Sequence, residues 1–400
     1  MKELEACLEK IAARDGELHA WQAVDPGFAR RQARALDAGT ARGVLHGMTL
    51  GVKDIFDTAD LPTEYGSPIY AGHRPAWDAA CVAAARAAGA IVLGKTVTTE
   101  FATMVPARTV NPRDPRRTPG GSSSGSAAAL AAGMVRFAFG SQTVGSTIRP
   151  AAYCGVVGYK PTFGTLSRSG MKMGAESLDT VGVIARSVED AALLAAGSGM
   201  RPDLLQIEQI RPRFAVCRSP NWRHMSREGA DAFLSAVDRI AGQGARVVEK
   251  EIPFGELDRA GQTILFYEMA RGLAYEVANH RAQVNPMLVA RIDEGAAIPY
   301  SDYAKAVAYA ADCRRRLADL MSDVDAIVTP SATGEAPLGL ESTGNTAMNR
   351  LWTLLYGPCV TVPAGVGPAG MPLGIQIVGL AGADARTLAA ARWVEKVLRP

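Results

Sequence analysis

Residues 78–95 read DAACVAAARAAGAIVLGK. Asp78 offers a start signal ahead of AACVAAARAAG, and Gly89 stands where a helix built on those alanines would end. The chain passes straight into AIVLGK (90–95), a short apolar run of the kind that forms a strand covered on both faces. Runs of the same kind recur at VGVIA (181–185), RFAVC (213–217), DAIVTP (325–330), CVTVP (359–363) and GIQIVG (374–379). Helix starts lie between them. Asp25-Pro26 supplies a cap and a first-turn proline, and Ser187 with Asp190 resembles a capping box before AALLAAG. The alternation predicts an α/β fold with a large, mostly covered sheet.

Composition bounds the function. The chain has 400 residues, 48% of them apolar, with 43 basic against 40 acidic side chains. A sizeable core is available, and a net charge of +3 speaks against a nucleic-acid partner or a membrane surface, which call for a concentrated basic face. Six cysteines lie apart with no CxxC pair, so free buried thiols in a reducing compartment are expected. MKELEACLEKIAARDGELHAW (1–21) reads as an amphipathic helix, not a signal peptide, and no apolar stretch is long enough to span a bilayer. The expectation is a cytoplasmic globular protein with residues 1–400 as one domain, residues 197–212 being the least certain connection.

Two segments break the pattern. PARTVNPRDPRRTPGGSSSGS (106–126) is a long run of turn formers, and loops of that length are functional or disordered. Its Gly-Ser part reads either as a flexible linker or, because AAALAAG follows, as serines at a helix N-terminus; no Gly-Lys-Ser/Thr triplet makes it a phosphate loop. The second segment is GSQTVGSTIRP (140–150). There Ser146 follows Thr143-Val144-Gly145, small residues whose N–H groups can converge on one point, as an acyl-transfer oxyanion requires.

A serine nucleophile needs a base. None of the five histidines, at 19, 46, 73, 224 and 280, stands in a triad context. Lys53 ends the strand-like run MTLGV. It is either a snorkelling surface residue or a desolvated amine able to act as a neutral base.

Taken in order, GVKDIFD (51–57), TPGGSSSGSAAALAAG (118–133), GSTIRPAAYCGVVGYKPT (145–162), SLDTVG (177–182), NRLWTLLYGPCVTVPAG (349–365) and MPLGIQIVG (371–379) resemble the amidase signature family. The similarity runs over about 46–195 and 325–398. It implies a large twisted mixed β-sheet covered by helices on both faces, and amide hydrolysis by a Ser–Ser–Lys triad. Ser146 would be the nucleophile, Ser122 the middle serine after a cis peptide, and Lys53 the base. Ser123 would support Lys53 by a hydrogen bond, and the backbone of Thr143, Val144, Gly145 and Ser146 would form the oxyanion hole. Where the family often has Gly-Gly before the nucleophile, this chain has Val144-Gly145.

Arg149, three residues after Ser146, resembles the spacing of malonamidase-like members, whose arginine binds a substrate carboxylate; the alternative is an arginine that braces backbone carbonyls. On the first reading the substrate is a small carboxylate-bearing amide, and Arg113, Arg116 and Arg117 add positive charge to the loop. The other functions weighed are the glutaminase component of a tRNA-dependent amidotransferase, a broad amidase for neutral amides, and a catalytically dead binding protein. No metal and no cofactor are expected, and family habit points to a homodimer.

Overall fold

The computed structural model describes residues 1–399. Its eleven strands are β1 (Trp21–Val24), β2 (Thr49–Lys53), β3 (Ile91–Thr96), β4 (Phe137–Gln142), β5 (Val157–Lys160), β6 (Thr180–Ala185), β7 (Arg213–Val216), β8 (Arg246–Glu249), β9 (Ala326–Pro330), β10 (Cys359–Val366) and β11 (Pro372–Val378). They form one continuous sheet in the order β1-β3-β2-β4-β6-β5-β10-β11-β9-β7-β8. β2 runs parallel to both β3 and β4, and β7 to both β8 and β9. The remaining pairs, among them β4–β6, β5–β6 and β10–β11, are antiparallel. The sheet is mixed, and every strand expected from the apolar runs is present.

Alternation along the strands explains why both faces are covered. Phe137, Phe139 and Val183 turn to a core shared with Val82, Ala85, Leu194 and Ala195 of the helices Ala80–Ala87 and Val188–Gly199. Ala138 and Ile184 turn the other way, to Ala127, Leu130, Ala151 and Cys154 of the helices Ser124–Ala131 and Ile148–Cys154. A period of two sends successive side chains to opposite faces, so near-continuous apolar runs are what a doubly covered sheet needs.

Two local expectations change. The N-terminal helix stops at Leu18, and Trp21 lies in β1 instead. His19 turns left-handed, and the Asp15 carboxylate accepts the N–H groups of Ala20 and Trp21, which diverts the chain out of the helix. Asp78 does not cap its helix, which begins at Ala80; its carboxylate takes the N–H of Ala59 and pairs with Arg86. Residues 197–212 finish one helix, make a short 3-10 turn at Pro202–Leu205 and cross to β7 of the same sheet. Asp25 and Ser187 cap as expected, accepting from Phe28 and Asp190.

Candidate active site

The site forms where β2 and β4 end side by side. Lys53 is the last residue of β2 and Ser141 the penultimate residue of β4, so parallel pairing brings both to one edge. Below them the helix Ser124–Ala131 docks against the end of β3. At Gly125 a side chain would meet Ala20 O at 2.2 Å and Val97 N at 2.4 Å, so only glycine permits the approach. That close packing sets the Gly-Ser segment over the sheet edge, and the Gly121–Ser122 peptide is cis.

Lys53 is fully buried. Its Nζ donates to Ser122 Oγ at 2.7 Å and to Ser141 Oγ at 2.8 Å. Burial pulls its pKa down from the ordinary lysine value to about 7, against the opposing pull of the Asp179 carboxylate. Two further buried lysines show the contrast. Lys95 is ion-paired with Asp54 at 2.9 Å, and Lys160 donates to the carbonyls of Pro161 and Gly357. Of the three, Lys53 alone has only hydroxyls as partners. Neutral, it can take a proton from Ser122 across the same contact.

The expected bond from Ser123 to Lys53 is not made. Ser123 Oγ accepts from Ser141 N (3.2 Å) and donates to Ser141 O (3.3 Å), which uses its hydroxyl on the backbone of β4. Ser141 therefore holds the amine, and Ser123 holds Ser141. Sequence reasoning missed Ser141 although it stands inside the GSQTVGS run.

Ser146 is tied through the main chain to the segment that bears Ser122, Ser123 N donating to Ser146 O at 3.3 Å. Its neighbours fix the direction of each peptide. Thr353 Oγ1 donates to Val144 O at 3.2 Å, and Arg149 N donates to Gly145 O at 2.9 Å. In a trans peptide the N–H points opposite to the carbonyl, so the N–H groups of Gly145 and Ser146 are turned the other way. Neither donates to another backbone group among the described residues. Gln142 Oε1 accepts from Thr147 N and Ile148 N, both at 3.1 Å, while its Nε2 donates to Thr353 Oγ1. Gly145 has no room for a side chain, since a Cβ would lie 2.6 Å from Asn349 Oδ1. Val144 has room because it faces the cavity.

That cavity, about 390 Å³, is bordered by Ser141, Thr143, Val144, Ser146, Arg149 and Asp179. Phe101, Met104, Met171, Leu265, Phe266 and Met269 form its apolar walls. Thr143 Oγ1 donates to Asp179 Oδ1, whose partner oxygen accepts from Gly174 N and Ala175 N. Burial raises the Asp179 pKa, and those bonds with Lys53 nearby oppose the rise.

Of the two readings of Arg149, the contacts present are those of the brace. Its Nε donates to Thr343 O at 2.8 Å and its Nη2 to Gly121 O at 2.7 Å, which braces the loop bearing Ser122. Its Nη1 is buried without a hydrogen-bond partner, and the residue borders the cavity. Burial lowers its pKa to about 10, against a smaller rise from Tyr153 and with a lesser further lowering by the charge of Arg350. The loop arginines do not join it: Arg116 and Arg117 turn to Asp114. Among the described residues no histidine borders the cavity, no group of three His, Cys, Asp or Glu is placed for a metal, and no helix is long and apolar enough to cross a membrane. All six cysteines are free and buried.

Comparison with known proteins agrees with this architecture. The model of the amidase family matches residues 2–388. The A component of the glutamyl-tRNA(Gln) amidotransferase of Anaeromyxobacter sp. (strain K) is 35% identical over an alignment covering 99% of this chain and 92% of that protein. A crystal structure of an amidase superposes with a TM-score of 0.91 at 30% identity, covering 99% of this chain and 96% of that one. The peptide amidase PAM, solved with the inhibitor chymostatin, gives 0.84 at 30% identity, covering 100% and 95%. The chain belongs to the amidase family and is an amide-cleaving hydrolase.

Proposed function

We propose that this protein hydrolyses a small, carboxylate-bearing amide to acid and ammonia through an acyl-enzyme on Ser146. The observation that carries the reading is the buried Lys53 amine, held between two serine hydroxyls with no counter-ion in contact. Ser146 attacks the carbonyl carbon while its proton passes to Ser122 and from Ser122 to Lys53. The developing oxyanion is held by N–H groups of the 143–146 turn, those of Gly145 and Ser146 being aimed by the pinning of the Val144 and Gly145 carbonyls. The relay then returns the proton to the departing nitrogen, and water cleaves the ester by the same route. The acid end of the substrate meets Arg149 Nη1, as the spacing shared with malonamidase-like members implies.

Ammonia release is the test, with each carboxylate-bearing amide paired with its neutral analogue, on wild type and on Ser146→Ala. Turnover of the acidic members that vanishes in Ser146→Ala supports the reading. Equal turnover of neutral analogues removes the anion site, and activity in Ser146→Ala removes the acyl-enzyme. A second reading, a glutaminase component feeding ammonia to partner proteins, is favoured by the likeness to the amidotransferase A component over 92% of its length. It requires glutamine turnover that rises when the partner proteins are added.

A further inference from the structure

Arg149 is not the only charged group of the cavity left with an unused atom. Arg350 opens the short helix Arg350–Leu354 and also borders the cavity, and its Nε is buried without a hydrogen-bond partner. It follows Asn349, whose amide oxygen packs against Gly145, so Arg350 stands beside the nucleophile turn. Its charge is felt at Arg149, where it disfavours the second cation. Opposite in sign is Asp258, in the first turn of the helix Leu257–Gly272. Its Oδ2 accepts from Asn221 Nδ2 at 2.7 Å, while its Oδ1 is buried with no partner and the residue borders the same cavity. Asn221 Nδ2 also donates to Ala347 O at 3.1 Å, which ties Asp258 to the segment that carries Arg350.

The other charged residues of the cavity are already satisfied. Lys172 is paired with Glu276, and Asp179 with Thr143 and two backbone N–H groups. Besides Arg149 Nη1, what remains is one donor at Arg350 and one acceptor at Asp258, with no hydrogen bond joining these two residues. Buried polar atoms in that condition are costly unless a ligand completes them. A neutral aliphatic amide completes neither, and a bare carboxylate completes only the arginine.

We infer that Arg350 and Asp258 form a recognition pair, and that the substrate carries a carboxylate flanked by an N–H donor, as in an amino-acid ω-amide or a ureido acid. Arg350 takes the carboxylate beside Arg149 Nη1, and Asp258 Oδ1 takes the donor. The inference rests on the reading of this cavity as the acyl-transfer site, and the test separates the two.

Binding is measured by calorimetry on Ser146→Ala protein, so that it does not depend on turnover. Four amides serve as probes: butyramide, succinamate, ureidoacetate, in which an N–H replaces one succinamate methylene, and asparagine, which adds an ammonium. Ureidoacetate or asparagine is expected to bind about tenfold or more tighter than succinamate, and succinamate tighter than butyramide; which of the two leads tells a ureido donor from an ammonium. Adding Asp258→Asn should erase the first gap and leave the second. Adding Arg350→Gln should narrow the second, with Arg149 keeping the rest. Should that protein fail to fold, Arg350→Lys, which keeps the charge but not the planar fork, should weaken succinamate more than butyramide, and equal binding of both to the Lys variant and the Arg350 protein counts against the pair. Equal weakening of all four probes by either substitution, or no binding of any of the three carboxylate-bearing probes, overturns the inference. Binding in the expected order by a protein whose wild type hydrolyses none of the probes leaves the pair standing and faults the acyl-enzyme reading instead.

Discussion

If Lys53 is the base, kcat/KM must rise with pH as its ammonium loses a proton, and the midpoint should fall near 7. The fall from the ordinary 10.5 to about 7 corresponds to about 5 kcal/mol in favour of the neutral amine. The consequence is large at working pH: at about pH 7.5 roughly one lysine in a thousand is neutral in water, against roughly three in four at this site. Removing the Ser141 hydroxyl takes away an acceptor that favours the charged amine. A hydrogen bond to a charged donor is worth about 1 kcal/mol more than one to a neutral donor, so Ser141→Ala should move the acid limb down by roughly half to one pH unit. Lys53→Ala should lose more than about 100-fold in kcat. The assay is ammonia release from the best amide of the paired screen, followed from about pH 5.5 to 9 on the three proteins. A flat wild-type profile, or an acid limb that survives unchanged in Lys53→Ala, refutes the assignment.

Thr353→Val should lower kcat by about 10- to 100-fold with little change in KM, because the Val144 carbonyl it pins is then free to turn the Gly145 N–H away from the oxyanion; a pure KM effect in steady-state kinetics would contradict this. Arg149→Ala should cost acidic amides more than neutral ones in the same kinetics. It should also lower stability by about 2–4 kcal/mol in urea melts, since it strands the Gly121 and Thr343 carbonyls. Lys53→Met should raise stability by about 1–3 kcal/mol while abolishing activity. Since the folded-state pKa of Lys53 lies below its unfolded value, its cost is full below about pH 7 and fades as pH rises towards 10.5. Thermal melts should therefore show a larger gain at about pH 6 than at pH 9.5, and the opposite order would refute the argument.

Much of the fold was legible because the sheet is covered on both sides. Runs such as VGVIA and GIQIVG carry β-branched residues at half or more of their positions, and β6 and β11 fall on them. The strands that were not anticipated lack that mark. FAFGSQ of β4 is interrupted by glycine and ends in polar residues because it delivers Ser141 and Gln142 to the site. RVVE of β8 is an edge strand whose ends are exposed, and WQAV of β1 is an edge strand begun by the turn that Asp15 organises. In each case local pattern gave way to position in the sheet.

The site divides along a different line. Lys53, Ser122 and Ser146 were identified from motifs that lie in order along the chain, and folding brings the first two into contact across 69 residues. The residues that aim the peptides had no role legible in sequence, because their function exists only as a pairing. Thr353 acts on Val144, which is 209 residues away, and Asn349 limits Gly145 from the same C-terminal segment. A serine beside a glycine is common, but a serine whose preceding carbonyls are held from behind is not. The holding comes from Arg149 N on the helix Ile148–Cys154 and from Thr353 on the helix Arg350–Leu354, which meet only because the sheet order sets β10 two strands from β6. The same distance explains why Arg149 supported two readings. Its braces are Gly121 and Thr343, and only with both in place does it become clear that they engage Nε and Nη2 and leave Nη1 without a partner.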